Sequence, residues 1–312
     1  MDNLIIALNV VAPLFLSMSL GYVLRHRGVF SDETLSQLNT SVFKLFLPLM
    51  LFYNIYNTDL KTAFDLRLII FSVCAIAVEF AIGVGVSMLL EKDNRRRGVL
   101  AQVIFRSNYV LFGIPVAYSL FGDEATGLAS MLVAVVVPMF NGLAVVALES
   151  FRAGKFSLMR IVKGVVKNPL IIASALGFAV LISGLRLPDA ITTTVRDLSR
   201  VATPLAFIAL GGTFRFDAVR GNVKTLVAGV AGRLVLMPLL ALSVAIRFGF
   251  TDAQLVTLMV MTGAPAAVSS YSMATQMDAE SELAGQFVIF TSLFSILTIF
   301  LWAFAGRTPT GI

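Results

Sequence analysis

Ten apolar runs punctuate the chain, at 3–24, 35–56, 68–90, 98–121, 125–148, 168–184, 198–216, 226–248, 254–276 and 283–305. Most are close to the roughly 20 residues that an α-helix needs to cross a bilayer core, and the sixth and seventh are the shortest. The pattern predicts an all-α, polytopic membrane protein with ten transmembrane helices. The stretch 149–167 is the longest connection, and no segment is long and polar enough for a separate soluble domain. The first run exceeds the apolar core of a signal peptide and is read as a retained helix.

Charge gives the runs a direction. The odd-numbered connections carry fourteen Lys and Arg, including Arg95, Arg96 and Arg97. The even-numbered connections and the tail carry seven, including Lys61, Arg67 and Arg307. Basic loops stay on the cytoplasmic side, so a multi-pass plasma-membrane protein with both termini extracytoplasmic is expected.

The pattern also repeats. Gly113-Ile114-Pro115 lies in the fourth run, and Gly263-Ala264-Pro265 lies in the ninth, 150 positions later. Residues 1–150 and 151–312 then each hold five spans. An odd number of crossings inverts the second half relative to the first, the plan of many secondary transporters. Proline lacks an N–H and disfavours helical geometry in the residue before it, while glycine removes side-chain resistance to a bend. Helices four and nine should therefore break at mid-depth. Backbone unwound in hydrocarbon is tolerated only where it packs in protein or lines a cavity. The half-helices that restart there point partial positive charge inward, which favours an anion.

Composition narrows the function. Of 312 residues, 58% are hydrophobic and 13% charged, and the mean hydropathy is +0.89. A soluble fold needs a polar skin that this chain lacks, so a cytosolic enzyme and a nucleic-acid binder are excluded. One cysteine (Cys74) and one histidine (His26) rule out an intrachain disulfide, a cysteine metal cluster and a three-histidine zinc site. No metal and no cofactor is expected.

The side chains around the breaks suit an anionic ligand. Arg106, Ser107, Asn108 and Tyr109 precede Gly113 and Pro115, and Thr262 leads into Gly263 and Pro265, with Ser269, Ser270, Tyr271 and Gln276 beyond. Arg106 carries a permanent charge and a fork that matches a carboxylate, and Asn108 offers both donor and acceptor. An arginine at a helix centre costs about 2.5–3.5 kcal/mol on insertion scales, so a substrate, a partner or water must offset it. Lys44, Glu79 and Arg233 are the other ionisable residues within spans. Glu79 is the one acid among them and a candidate proton carrier, with Lys44 or an arginine as its expected partner. Arg233 is read as snorkelling outward. Asn108, Thr262 and Gln276 are candidates for a sodium site. Pro48, Pro138 and Pro204 are read as kinks, and Asn141 as a side chain that satisfies a carbonyl freed by Pro138.

The stretch Phe105-Arg106-Ser107-Asn108-Tyr109-Val110-Leu111-Phe112-Gly113-Ile114-Pro115 resembles the helix-four signature of bacterial auxin efflux carrier family transporters. Ala264-Pro265-Ala266-Ala267-Val268-Ser269-Ser270-Tyr271-Ser272-Met273-Ala274, running on to Leu283-Ala284-Gly285-Gln286, resembles their helix-nine to helix-ten signature. The resemblance implies the fold of plant PIN carriers and, more distantly, of bile acid sodium symporters. Helices 1, 2, 6 and 7 would form a scaffold panel, and helices 3–5 and 8–10 a transport core with crossing helices four and nine. Asn108 and Pro115 match the first crossover, and Gly263 and Pro265 the second. It also implies carriage of malate-like or malonate-like acids and a homodimer through the scaffold panel.

The leading reading is a secondary transporter of a small organic anion working by alternating access, proton-coupled, sodium-coupled or uncoupled. On this reading Arg106, Ser107, Asn108, Tyr109, Gly113, Pro115, Gly263, Pro265 and Ser269 bind substrate, and Glu79, Thr262 and Gln276 are candidates for the coupling ion. A membrane enzyme is disfavoured, because H-E-x-x-H and G-x-S-x-G are absent and the one histidine lies in a loop. A channel would build its filter from several subunits, whereas this chain builds one pseudo-symmetric centre. A primary pump would need a Walker loop. A non-transporting sensor stays open.

Overall fold

The computed structural model describes residues 2–58, 64–152 and 158–305, with side chains described from 11 to 302. Lys61, Lys155 and Arg307 lie outside the described residues. Twelve helical segments follow in chain order: α1 (Asp2–His26), α2 (Asp32–Tyr56), α3 (Leu66–Leu90), α4 (Asn94–Phe105), α5 (Tyr109–Ser150), α6 (Leu158–Lys167), α7 (Pro169–Ser183), α8 (Asp189–Thr213), α9 (Asp217–Arg247), α10 (Asp252–Gly263), α11 (Ser269–Gln276) and α12 (Ser281–Ala305). Among the described residues the sole β-type contact is an isolated bridge between Ser107 and Ala266. Among the described residues five helices are long and apolar enough to cross a membrane, or six if the bent pair α6 and α7 is one span.

Local chemistry sets the helix ends. The side chains of Ser31, Asp65, Asp93 and Asn168 accept from the backbone N–H of Thr34, Leu68, Arg95 and Leu170. Thr251 and Gln254 form a reciprocal capping box at the start of α10. Gly184 closes α7 in the left-handed region, where a Cβ would be strained.

Three prolines sit just after a π turn. The turns 42–46, 109–113 and 232–236 lead into Pro48, Pro115 and Pro238. A proline ring crowds the carbonyl four residues back and gives it no donor. Widening the turn ahead of it, with Leu47, Ile114 and Met237 donating five residues back, relieves that crowding without ending the helix. For Pro238 the bereft oxygen is that of Leu234, and it accepts from Trp302 Nε1 at 3.0 Å.

The expected break in helix four therefore needs a correction. Gly113 and Pro115 lie inside helix, because the π turn absorbs the proline. The chain unwinds earlier, at residues 106–108, between α4 and α5. In helix nine the unwound stretch does fall on the Gly263–Pro265 motif, between α10 and α11. Gly122, at φ 68°, then splits α5 into a short first half and a long second half.

Two further boundaries differ from the sequence reading. The connection 149–167 contains α6, whose apolar residues recur at helical spacing among basic ones. The seventh run begins at Asp189 rather than 198, because α8 opens with polar residues that form helix without making an apolar run.

α1 packs chiefly on α8, and α2 on α7 and α8, while α3, α4, α5, α9, α10 and α12 pack among themselves. The α1–α8 contact is backbone against backbone. A Cβ on Gly21 would run into the carbonyl of Ile208, and one on Gly211 into the carbonyl of Met18. Small residues at such contacts let membrane helices approach closely.

Candidate functional site

The two unwound stretches meet at the centre of the fold. Asn108 N donates to Pro265 O at 2.7 Å, and Ser107 pairs with Ala266 in the isolated bridge. Ala266 N donates to the Thr291 hydroxyl of α12 at 3.0 Å. Four helix ends converge on this crossing. α4 and α10 arrive with their C-termini, and α5 and α11 leave with their N-termini.

The arriving ends leave carbonyls without helical donors. Arg233, fully buried on α9, serves both. Its Nε donates to Ala264 O at 2.9 Å, Nη2 to Met261 O at 2.8 Å and Nη1 to Ile104 O at 3.1 Å. Nη1 also lies 3.5 Å from Glu79 Oε2. Arg233 therefore does not snorkel. Its five donors in a rigid fork suit several convergent carbonyls, and the negative ends of two helix dipoles favour its charge. Glu79 takes Arg233 rather than Lys44 as partner, and Lys44 is exposed while Glu79 is buried.

The departing ends present N–H groups, and Arg106 lies beside them at 3% exposure. Arg106 Nη2 donates to Asn141 Oδ1 at 2.6 Å and to Ser269 Oγ at 2.8 Å, and Nη1 donates to Ser270 Oγ at 3.2 Å. All three acceptors are neutral, and among the described residues Arg106 has no carboxylate partner. Asn141 Nδ2 reaches back to Val137 O at 2.9 Å, not to a carbonyl freed by Pro138, and its oxygen is spent on Arg106. Asn141 is thus a site residue that the sequence reading missed. The sequence offered only an amide in an otherwise apolar run, and the fold alone supplies its partner.

Among the described residues Asn108 Nδ2 and Ser107 Oγ have no hydrogen-bond partner, although both are buried. They line a cavity of about 50 Å³ with Arg106, Asn141, Ser269 and the α2 residues Met50 and Asn54. Tyr109 also lines it, but its hydroxyl is tied to Ala129 O at 2.8 Å. A larger groove of about 660 Å³ lies between α3 and α9. Its lining is mostly apolar, with Arg67 and Glu79 the charged residues in it, and it does not reach the crossing residues Arg106 and Asn108.

Arg106, Ser107, Asn108, Tyr109, Pro265 and Ser269 come together at the crossing. Gly113 and Pro115 sit inside α5 beyond it. Gly113 lets Tyr109 pack close, since a Cβ there would come within 3.1 Å of that ring. Gly263 ends α10 against Pro238. The proposed sodium set does not converge. The Thr262 hydroxyl donates to Leu258 O within its own helix at 2.8 Å. Gln276, two turns beyond Ser269, donates to Thr40 on α2 at 3.0 Å.

Three side-chain bonds tie α11 to the α2 and α8 panel. Ser272 donates to Asn39 Oδ1 at 2.7 Å, Gln276 donates to Thr40, and Tyr271 and Thr213 share a hydroxyl bond of 2.7 Å.

Residues 6–303 match the sequence profile of the membrane transport protein family. The chain belongs to this family of polytopic transporters, the auxin efflux carrier family. It is 29% identical over 296 residues to an uncharacterized transporter of Methanothermobacter thermautotrophicus, covering 91% of this chain and 93% of that one. It is 24% identical over 304 residues to an uncharacterized transporter of Methanocaldococcus jannaschii, covering 95% and 98%. The uncharacterized transporter YfdV of Escherichia coli K12 is 25% identical over 308 residues, covering 95% and 96%. The chain is a multi-pass membrane transporter.

Proposed function

We propose that this transporter moves a small organic anion, a mono- or dicarboxylate, across the membrane as a secondary carrier. One observation carries the reading: a buried guanidinium at the crossing is held by neutral acceptors alone, beside an unpaired amide and two helix N-termini. A buried cation of this kind lacks a counter-charge, and a carboxylate supplies one in fork geometry. The cavity has room for a few waters but not for an organic acid. Substrate enters when α5 and α11 part from α2, which is the movement alternating access needs. The α11 bonds to α2 and α8 hold the present state closed on that side.

Proton coupling through Glu79 is the favoured form. Its carboxylate touches Arg233, the residue that caps both arriving helices, so a proton there alters the crossing directly.

Flux into proteoliposomes over a panel of mono- and dicarboxylates, with and without pH and sodium gradients, tests this. Arg106→Ala should abolish saturable uptake while the protein stays monodisperse, and Arg106→Lys should retain a weakened uptake. Glu79→Gln should remove the response to a pH gradient. Unchanged kinetics in Arg106→Ala would reject the anion site, and a retained gradient response in Glu79→Gln would reject the proton route.

A further inference from the structure

Helix α6 has three distinct faces: one packed inward, one apolar and exposed, and one basic and exposed. Ile161, Gly164 and Val165 turn inward; Ile161 is buried, and a Cβ on Gly164 would sit 2.9 Å from Glu149 Cγ at the end of α5. Leu158, Met159, Val162 and Val166 form a second face, exposed by 49–76%. Arg160, Lys163 and Lys167 form the third, also exposed. At 100° per residue the apolar exposed face and the basic face are neighbours, and the packed face closes the circle.

The position of α6 fits this division. It follows the end of α5, where Leu148 packs on Gly98 at the start of α4. That end of the bundle also carries Arg95, Arg96 and Arg97. α6 then bends by 58° into α7. A helix that crossed the hydrocarbon here would bury Lys163 and Lys167 unpaired, at a high cost. A helix lying in the interface plane places the Leu158–Val166 face among acyl chains and the basic face among headgroups.

We infer that α6 is an in-plane docking surface for anionic phospholipid in the leaflet at the basic end of the bundle. Charge complementarity selects the occupant. The apolar face alone would take any lipid tail, but the adjoining Lys163 and Lys167 favour a phosphate-bearing headgroup of net negative charge. A basic residue at an anionic membrane surface strengthens attraction about fivefold, so two lysines suffice for a clear headgroup preference.

The single cysteine makes the test direct. In a Cys74→Ala background, Val162→Cys and, separately, Lys163→Cys are labelled with an environment-sensitive fluorophore. The full chain is reconstituted in phosphatidylcholine bilayers containing phosphatidylglycerol. Nitroxide is placed near the top of the acyl chain of one lipid or the other, at equal mole fraction. The label at 162 should emit to the blue, resist aqueous iodide and be quenched several-fold more by nitroxide-phosphatidylglycerol than by nitroxide-phosphatidylcholine. That ratio should fall to near one in Lys163→Gln/Lys167→Gln and at high salt, and persist in Lys163→Arg/Lys167→Arg. The label at 163 should be reached by iodide. Equal quenching by the two lipids, or a preference that survives loss of both lysines, overturns the headgroup claim. Iodide access at 162 equal to that at 163 overturns the in-plane placement.

Discussion

Replacing Arg233 with leucine is the most searching perturbation of the crossing. It removes one charge and three backbone hydrogen bonds of 2.8–3.1 Å, and leaves the carbonyls of Ile104, Met261 and Ala264 buried without that donor. It also strands Glu79, whose second oxygen already lacks a partner among the described residues. An unsatisfied buried acceptor costs about 1–3 kcal/mol, and deleting one member of a buried ion pair about 3–5 kcal/mol. These terms overlap, so the expected loss is at least about 3 kcal/mol, on the order of a 10 °C fall in melting temperature. Trp302, the only tryptophan, reports the event, because its indole is bonded to Leu234 one residue away. Detergent-solubilised variants would be melted while its emission is followed. Arg233→Lys should lie between wild type and Arg233→Leu, since one ammonium cannot span the same acceptors. The double variant Arg233→Leu/Glu79→Leu should recover the part due to the stranded carboxylate and not the part due to the carbonyls. A wild-type melting point for Arg233→Leu would refute the claim that this side chain holds the crossing together.

Three further outcomes follow from the packing. Gly211→Val should separate α1 from α8 and abolish monodisperse extraction, whereas the same change at Gly221, where a Cβ meets open space, should be tolerated; equal behaviour of the two would disprove the close approach. Ser272→Ala combined with Tyr271→Phe removes two of the three bonds from α11 to the panel, so cysteine-accessibility labelling of a probe at position 50 should increase; unchanged labelling would show that these bonds do not hold the closed state. At the basic end, burial raises the Glu91 carboxyl, but hydrogen bonds from Arg96 and Thr225 and nearby positive charge outweigh it and leave the group below its ordinary range. A depressed carboxyl stabilises the fold above its unfolded value and loses that contribution as pH falls through the folded one. Thermal stability should therefore drop on acidification below the ordinary carboxylate range, with a smaller drop in Glu91→Gln; an identical acid profile would remove this pair from the account.

Local composition alone was enough for the class and for one of the two interruptions, at Gly263–Pro265. Hydrophobic runs, loop charge and the matched Gly-x-Pro motifs depend on local composition, and local composition is enough to say which segments prefer hydrocarbon. Arg106 was legible for the same reason, since a cation inside an apolar run announces its own cost. The tertiary structure decided what the other polar groups do. Arg233 binds carbonyls 28, 31 and 129 positions away, and Asn141 reaches Arg106 across 35. Only the folded geometry distinguishes such a clamp from a snorkelling side chain, because both begin as the same residue in the same kind of run. The break in helix four moved for a related reason. A proline demands relief from the oxygen behind it but does not dictate the form, and a widened turn packed against α10 met that demand without unwinding the chain.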